Sequence, residues 1–148
     1  MNASDDLILW TPDLVTGVSL IDEQHRVLVD MCNEANKLMQ GHIDPEDVKR
    51  LVRDLMSYAM YHFEAEEELA LDQGYGDSHP DENALHREQH RKFAATVASL
   101  QQELAAGKVV TREALLGFLN GWLVNHIQVT DKKLALAILA EGGPGASN

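Results

Sequence analysis

Along most of the chain, apolar positions recur at alternating steps of four and three, the period of an amphipathic helix. Four such stripes can be traced. The first reads Ile21, His25, Leu28, Cys32, Ala35 and Met39. It predicts a helix from Ser19 to about Gln40, opened by a Ser19/Asp22 capping box and stopped by Gly41. The second reads Val48, Val52, Leu55, Ala59, His62, Glu66 and Leu69. Asp44-Pro45-Glu46-Asp47 starts it with a cap, a proline at the first position and acids in the first turn, and it runs to about Leu71. Residues 72–82 read as a loop. The third stripe, His86, His90, Phe93, Val97, Leu100 and Leu104, begins between Pro80 and Asn83 and ends near Ala106, with Gly107 as C-cap. Thr111 caps the fourth helix, which carries Leu115, Leu119, Trp122 and His126 and runs to about Ala140.

There is no strand period and no internal repeat. Four helices with short connections predict an all-α, antiparallel up-down-up-down four-helix bundle. The expectation is one domain over 1–148: an N-terminal extended arm (1–18), the bundle (about 19–140) and a loose tail (141–148). Trp10 is expected to pack on the bundle surface, and Cys32, on its apolar stripe, to act as a small buried hydrophobe.

The stripes also hold residues that an apolar core does not want. His62 and Glu66 are one turn apart, as are His86 and His90, so each pair looks out from one helix face. His25 lies upstream, and His126 and Asp131 downstream. Helix rise places them at matching heights. His25 and His62 each fall roughly 22–26 Å from the turn between their helices, at about 1.5 Å per residue. His90 and His126 match in the same way across the second hairpin. A lone histidine on an apolar stripe is usually a satisfied core residue, and one HxxxH is only moderately specific. Five at one level, with a buried carboxylate that alone would cost several kcal/mol, point instead to a multinuclear metal centre. His42 and His79 fall in connections and read as surface residues.

The fourth helix breaks its own rhythm. His126 and Asp131 are about 140° apart on a regular helix. The stripe resumes as Asp131, Leu134 and Ile138 after a step of five, one residue too many. A single inserted residue is what a π-bulge provides, so an irregular turn between His126 and Asp131 is expected.

Length and composition then narrow the class. The 148 residues are 45% hydrophobic, and 24 acids against 12 bases give a net charge of −12. No basic stripe offsets this, which argues against nucleic acid and anionic membrane as partners. The acidic start has neither the basic flank nor the apolar run of a signal peptide, and no apolar run reaches membrane-spanning length. The one cysteine excludes an internal disulfide and fits a reducing compartment, so a cytoplasmic location is expected.

Seven ligands of imidazole and carboxylate type are too many for one first-row metal. They suit two ions of iron or manganese, or of zinc. If Glu66 and Asp131 bridge together with an oxo or hydroxo group, five imidazoles divide as three and two. One metal is then closed and the other keeps an open position for a diatomic ligand. Two ferrous ions, two carboxylates and a hydroxide sum to about +1, whereas carboxylate-rich di-iron bundles carry more acids and favour oxygen activation.

The chain resembles the hemerythrin family in its single-domain bacterial form, the bacteriohemerythrins. The resemblance rests on Trp10 through Gly17-Val18, Ile21-Asp22-Glu23-Gln24-His25, His62-Phe63 with Glu66-Glu67, His86 with His90, and Trp122-Leu123-Val124-Asn125-His126-Ile127 with Asp131. It implies two iron ions with an oxo or hydroxo bridge, held by His25, His62, Glu66, His86, His90, His126 and Asp131. His86, His90 and His126 would serve the closed iron, and His25 and His62 the open one, which binds O2. NO and azide are further small ligands, and a protein partner is left open.

The expected function is reversible O2 binding for storage, delivery or sensing. The alternative is a di-iron oxidase, a peroxidase or a nitric-oxide-processing enzyme. The O2 pocket is expected from Leu28, Trp122, Leu123 and Gln128. Two features depart from the family pattern: a longer connection between Tyr75 and His86, and Gln128 where an apolar leucine is expected.

Overall fold

The structure, a computed structural model, describes residues 8–40 and 44–140. These form α1 (Ser19–Leu38), α2 (Pro45–Asp72), a one-turn α3 (Tyr75–Ser78), α4 (Pro80–Ala105), α5 (Arg112–Asn125), a π-helical segment (His126–Asp131) and α6 (Lys132–Ala140). No strand occurs among the described residues. Backbone dihedrals stay helical at both junctions of the π segment, so α5, the π segment and α6 form one interrupted rod. The helix α2 packs on α1 and α4, and α1 also packs on α5. The architecture is the expected antiparallel four-helix bundle. The predicted tail, His42 and residues 1–7 of the arm lie outside the described residues.

Local chemistry explains most of the boundaries. Asp44 Oδ1 accepts from the amide of Glu46, with Pro45 behind it, and opens α2. Thr111 Oγ1 accepts from the amide of Ala114 and opens α5. Gly107 follows α4 with φ +82°, a left-handed turn that a Cβ would strain.

The start of α1 corrects the predicted capping box. Its N-cap is Val18, which has no side chain able to cap. The carboxylate of Asp22 instead accepts from the backbone of Thr16 (2.8 Å), its hydroxyl (2.8 Å) and the amide of Gly17 (3.1 Å). Asp22 therefore folds the arm against the helix rather than closing the helix end. The arm is also not wholly extended: Pro12–Leu14 make a 3-10 turn. Asn33 pins Ile8 by both its amide (2.8 Å) and its carbonyl (2.9 Å), and the Arg26 guanidinium lies 4.9 Å over the Trp10 ring.

The expected loop 72–82 is a second correction. Between Asp72 and Pro80 the chain winds into α3, reached through Gly74 at φ +68°. This turn puts Tyr75 into the core at 2% exposure, while His79 stays on the surface as expected.

The core is divided in two. The larger cluster includes Leu28, Cys32, Leu55, Ala59, Phe63, Phe93, Leu119, Leu123 and Ile127. The smaller holds Val18, Ile21, Leu69, Ala70, Tyr75, Leu134, Ala135 and Ile138. Along α1, α2 and the rod of α5, the π segment and α6, the buried imidazoles and carboxylates lie where one cluster gives way to the other.

Replacing Asp22 with alanine frees three donors at once and should lower stability by about 1–2 kcal/mol. Urea unfolding measures this against Asp54→Ala, whose ion pair with Arg53 is exposed and worth little. Equal midpoints for the two variants would refute the anchoring role of Asp22.

Candidate metal centre

The layer between the two apolar clusters is made of the seven predicted side chains. His25 comes from α1, His62 and Glu66 from α2, His86 and His90 from α4, and His126 and Asp131 from the two ends of the π segment. All seven are buried, with Glu66 at 1% and Asp131 at 0% exposure. The π segment is the irregular turn that the step of five predicted. Its wider winding brings Asp131 round to the side that His126 faces, and Asp131 Oδ1 ends 3.0 Å from His126 Nε2.

The two carboxylates sit at the middle. Asp131 lies 2.6 Å from His25 Nε2 and 2.8 Å from His86 Nε2. Glu66 lies 3.2 Å from His90, 3.3 Å from His62, 3.4 Å from His86 and 3.6 Å from His25, always at Nε2. Donor atoms within 4.8 Å of one another fall into two sets: His86, His90 and His126 with both carboxylates, and His25 and His62 with the same two.

Proton positions test whether these residues fit metal ions. His62 Nδ1 donates to Gln24 Oε1 (2.6 Å), His90 Nδ1 to Glu67 Oε2 (2.9 Å) and His126 Nδ1 to Gln89 Oε1 (2.8 Å). With the proton fixed on Nδ1, each Nε2 turns a lone pair inward. Both carboxylates, and Nε2 of His25, His62 and His86, are buried without a hydrogen bond. His90 Nε2 and His126 Nε2 face each other at 3.2 Å. Lone pairs and carboxylate oxygens converging in a dry core need a cation or protons between them. The donor set fits a pair of divalent metal ions.

Without metal, protons take that place. At His25, His86 and His126 burial opposes the charged form, but Asp131 and Glu66 outweigh it. His25 is raised to about 9, His86 to about 10, and His126 is raised as well. Burial also opposes ionisation of the acids, and Glu66 opposes that of Asp131. The surrounding imidazoles nevertheless hold both acids below the usual carboxylate range.

Aromatic rings fix two of the imidazoles. Phe63 stacks on His90 (4.0 Å between ring centres, 13° between planes), and Trp122 stacks on His126 (4.3 Å, 14°). Below this layer lies a cavity of about 10 Å³, lined only by apolar side chains and Cys32. Leu28, Ala59, Phe63, Phe93, Trp122 and Leu123 each reach it from within one turn of an imidazole on their own helix. Its size is at the lower limit for one water, and its walls offer no hydrogen bond to hold one. Burial pushes the Cys32 thiol up to about 12, so it is a neutral wall group.

Three of the four predicted pocket residues therefore meet. Gln128 is the exception: it is exposed, and Ile127 takes the inward place at 0% exposure. The expectation rested on the family position alone; two residues beyond His126 is about 200° round the helix, so Gln128 stands on the face opposite the imidazole. Gln24, Glu67, Gln89 and Thr130, which donates to Gln89 at 2.7 Å, were not singled out in the sequence. All four adjoin a candidate ligand in sequence, and that adjacency was the available signal.

Residues 16–138 match the family described as Hemerythrin HHE cation binding domain. The chain is 34% identical over 124 residues to a bacteriohemerythrin of Pseudomonas aeruginosa, covering 84% of this chain and 76% of that protein. It is 32% identical over 127 residues to a bacteriohemerythrin of Methylococcus capsulatus, covering 85% and 92%. A solved wild-type hemerythrin superposes with a TM-score of 0.78 at 29% identity, over 88% of this chain and 97% of that one. A crystal structure of hemerythrin with an L114A mutation also gives 0.78, at 28% identity over 88% and 96%.

The raised imidazoles give the metal-free protein a pH signature. Between the ordinary value of 6.5 and about 9 to 10, the folded chain keeps protons that the unfolded chain has lost. The stability they contribute is complete below about pH 6.5 and lost as pH rises through 9 and 10. The urea midpoint of the metal-free protein should fall steadily from pH 7 to pH 10. A flat midpoint over that range would contradict the proton-filled centre.

Proposed function

This chain belongs to the hemerythrin family, and on that basis we propose that it binds O2 reversibly at a pair of non-haem iron ions bridged by Glu66, Asp131 and an oxo or hydroxo group. His86, His90 and His126 serve one ion, and His25 and His62 the other. The observation that carries this reading is the division of the donor atoms into a three-imidazole set and a two-imidazole set that share both carboxylates. The unequal sets leave one ion a ligand short. When bound, the iron pair supplies the electrons and the open position for a diatomic ligand.

The chain's own residues do the rest. Gln24, Glu67 and Gln89 hold the Nδ1 protons outward, so the imidazoles present Nε2 as neutral donors. Five neutral imidazoles favour the ferrous state, and so binding over turnover. Leu28, Trp122 and Leu123 close the apolar cavity. This excludes water and the proton transfers that would release an oxidised product. With Gln128 on the surface, no polar side chain enters the cavity, which also supports binding. Among the described residues, no helix is long and apolar enough to cross a membrane.

Anaerobic iron loading should give two iron ions per chain, and stopped-flow mixing with O2 an oxygenated spectrum that reverses under argon. One ion per chain, or rapid loss of the ferrous form with peroxide turnover, overturns the reading. Trp122→Ala should open the cavity to water and raise the autoxidation rate by roughly tenfold or more, from the loss of the ring on His126 and of the seal. An unchanged rate removes Trp122 from this role. His62→Ala should weaken azide binding more than iron retention, and His90→Ala the reverse. Equal effects on both would refute the three-and-two assignment.

A further inference from the structure

Three candidate ligands pass their Nδ1 proton to an outside acceptor, and the acceptors are not alike. His62 and His126 give theirs to amide oxygens of Gln24 and Gln89. His90 gives its proton to a carboxylate, Glu67 Oε2, at 2.9 Å. Glu67 is also unlike the other two acids of the centre. Its side chain is 32% exposed, against 3% for His90, and its second oxygen, Oε1, lies 3.6 Å from Nε of Arg87. Both side chains form the wall of a surface hollow of about 90 Å³ between α2, α3 and α4. Phe63, stacked flat on the face of the His90 ring, restrains its rotation while Nδ1 points to Glu67. A chain of contacts thus runs from an exposed arginine, through a half-exposed carboxylate, to a buried imidazole whose Nε2 faces the centre.

We propose that Glu67 is a positioning residue that sets the reduction potential of the metal pair through His90, with Arg87 as an opposing control at the surface. The inference rests on the di-iron reading above. A carboxylate that accepts an imidazole N–H draws the proton away and leaves the ring more imidazolate-like. Such a ring is a stronger donor and stabilises the more oxidised metal, which lowers the potential. The amide acceptors on His62 and His126 do this far less. Arg87 offsets part of the Glu67 charge, but it is 55% exposed, so solvent weakens its share. Whatever draws Arg87 away, such as an acidic partner or an anion in the hollow, would then change the centre without entering it.

The test uses the full chain, loaded anaerobically with ferrous iron, with iron content and a spectroscopic redox titration as readouts. Glu67→Gln keeps the shape and the acceptor oxygen but removes the charge, and should raise the potential. Arg87→Gln, a surface change, should lower it by a smaller amount. In the Glu67→Gln background, Arg87→Gln should have no effect, because its influence passes through the carboxylate. Opposite signs and loss of the second effect are what a merely structural role would not produce.

An iron-loaded Glu67→Gln protein with an unchanged potential overturns the role of Glu67 and leaves the di-iron reading standing. So does an Arg87→Gln shift that is absent, or that persists in the double variant. Arg87→Gln keeps the test decisive if Glu67→Gln fails to hold iron. Failure of the unaltered chain to hold two iron ions overturns both readings.

Discussion

Two carboxylates buried at the centre of a helical bundle govern this structure. Glu66 and Asp131 have almost no exposure, and their inward neighbours are imidazoles. In such a place an uncompensated charge costs several kcal/mol, and removal of one partner of a buried set typically costs about 3–5 kcal/mol. The compensation is therefore built from all sides. Every long helix contributes at least one imidazole, and both carboxylates stay ionised within that ring. The division of the core follows from this. A polar layer that must be complete cannot mix with leucines, so the apolar contacts gather into one cluster above it and one below. The bundle owes its cohesion to those clusters and its register to the layer between them.

The π segment is the local cost of that layer. A regular α-helix would turn Asp131 away from His126, so the backbone gives up α-helical hydrogen bonding over His126–Asp131 to bring both inward. The segment is not left to itself. Thr130, inside it, donates to Gln89, which in turn accepts from His126. One side-chain oxygen on α4 thereby ties both the backbone distortion and the ring orientation to a neighbouring helix. Trp122, one turn earlier, lies flat on His126 and makes the same ring part of the cavity wall. Backbone irregularity, ligand geometry and the apolar wall are thus parts of one arrangement. A change in any of them moves the others.

Outside the layer, each polar partner does two things. Gln24 and Gln89 fix a tautomer and also satisfy a ring nitrogen that would otherwise be buried without a bond. Glu67 does the same for His90 while remaining in contact with solvent. The arm shows a similar economy at the end of α1. Asp22 gathers the backbone of Thr16 and Gly17, which sets Val18 and Ile21 into the smaller cluster one turn from His25. Stability and chemistry therefore draw on the same residues.

How much of this was legible in the chain depends on which physical rule had to be read. Helix rise and period are fixed by the backbone, so His25, His62, Glu66, His86, His90 and His126 could be placed on inward faces at one height from numbering alone. Even the irregular turn before Asp131 showed as a step of five. Asp44 and Thr111 act on their own first turn and were equally readable. Other features depend on groups that approach from elsewhere. Asp22 had two sets of amides within reach, and the fold of the arm chose those of Thr16 and Gly17 over a capping box. The 72–82 connection read as a loop because its glycines and proline hide one helical turn, which forms where Tyr75 can bury its ring. Gln128 was expected in the pocket only by its place in the family pattern; two residues past His126 it stands across the helix from the imidazole, and Ile127 takes the inward place. The partners of His62, His90 and His126 lie on neighbouring helices, and no single stripe records how those helices are rotated against one another. Period and rise along the chain thus carry the bundle, the level of the layer and its seven side chains. Which donor meets which acceptor is set only on folding, because that depends on angles and distances between helices that are far apart along the chain.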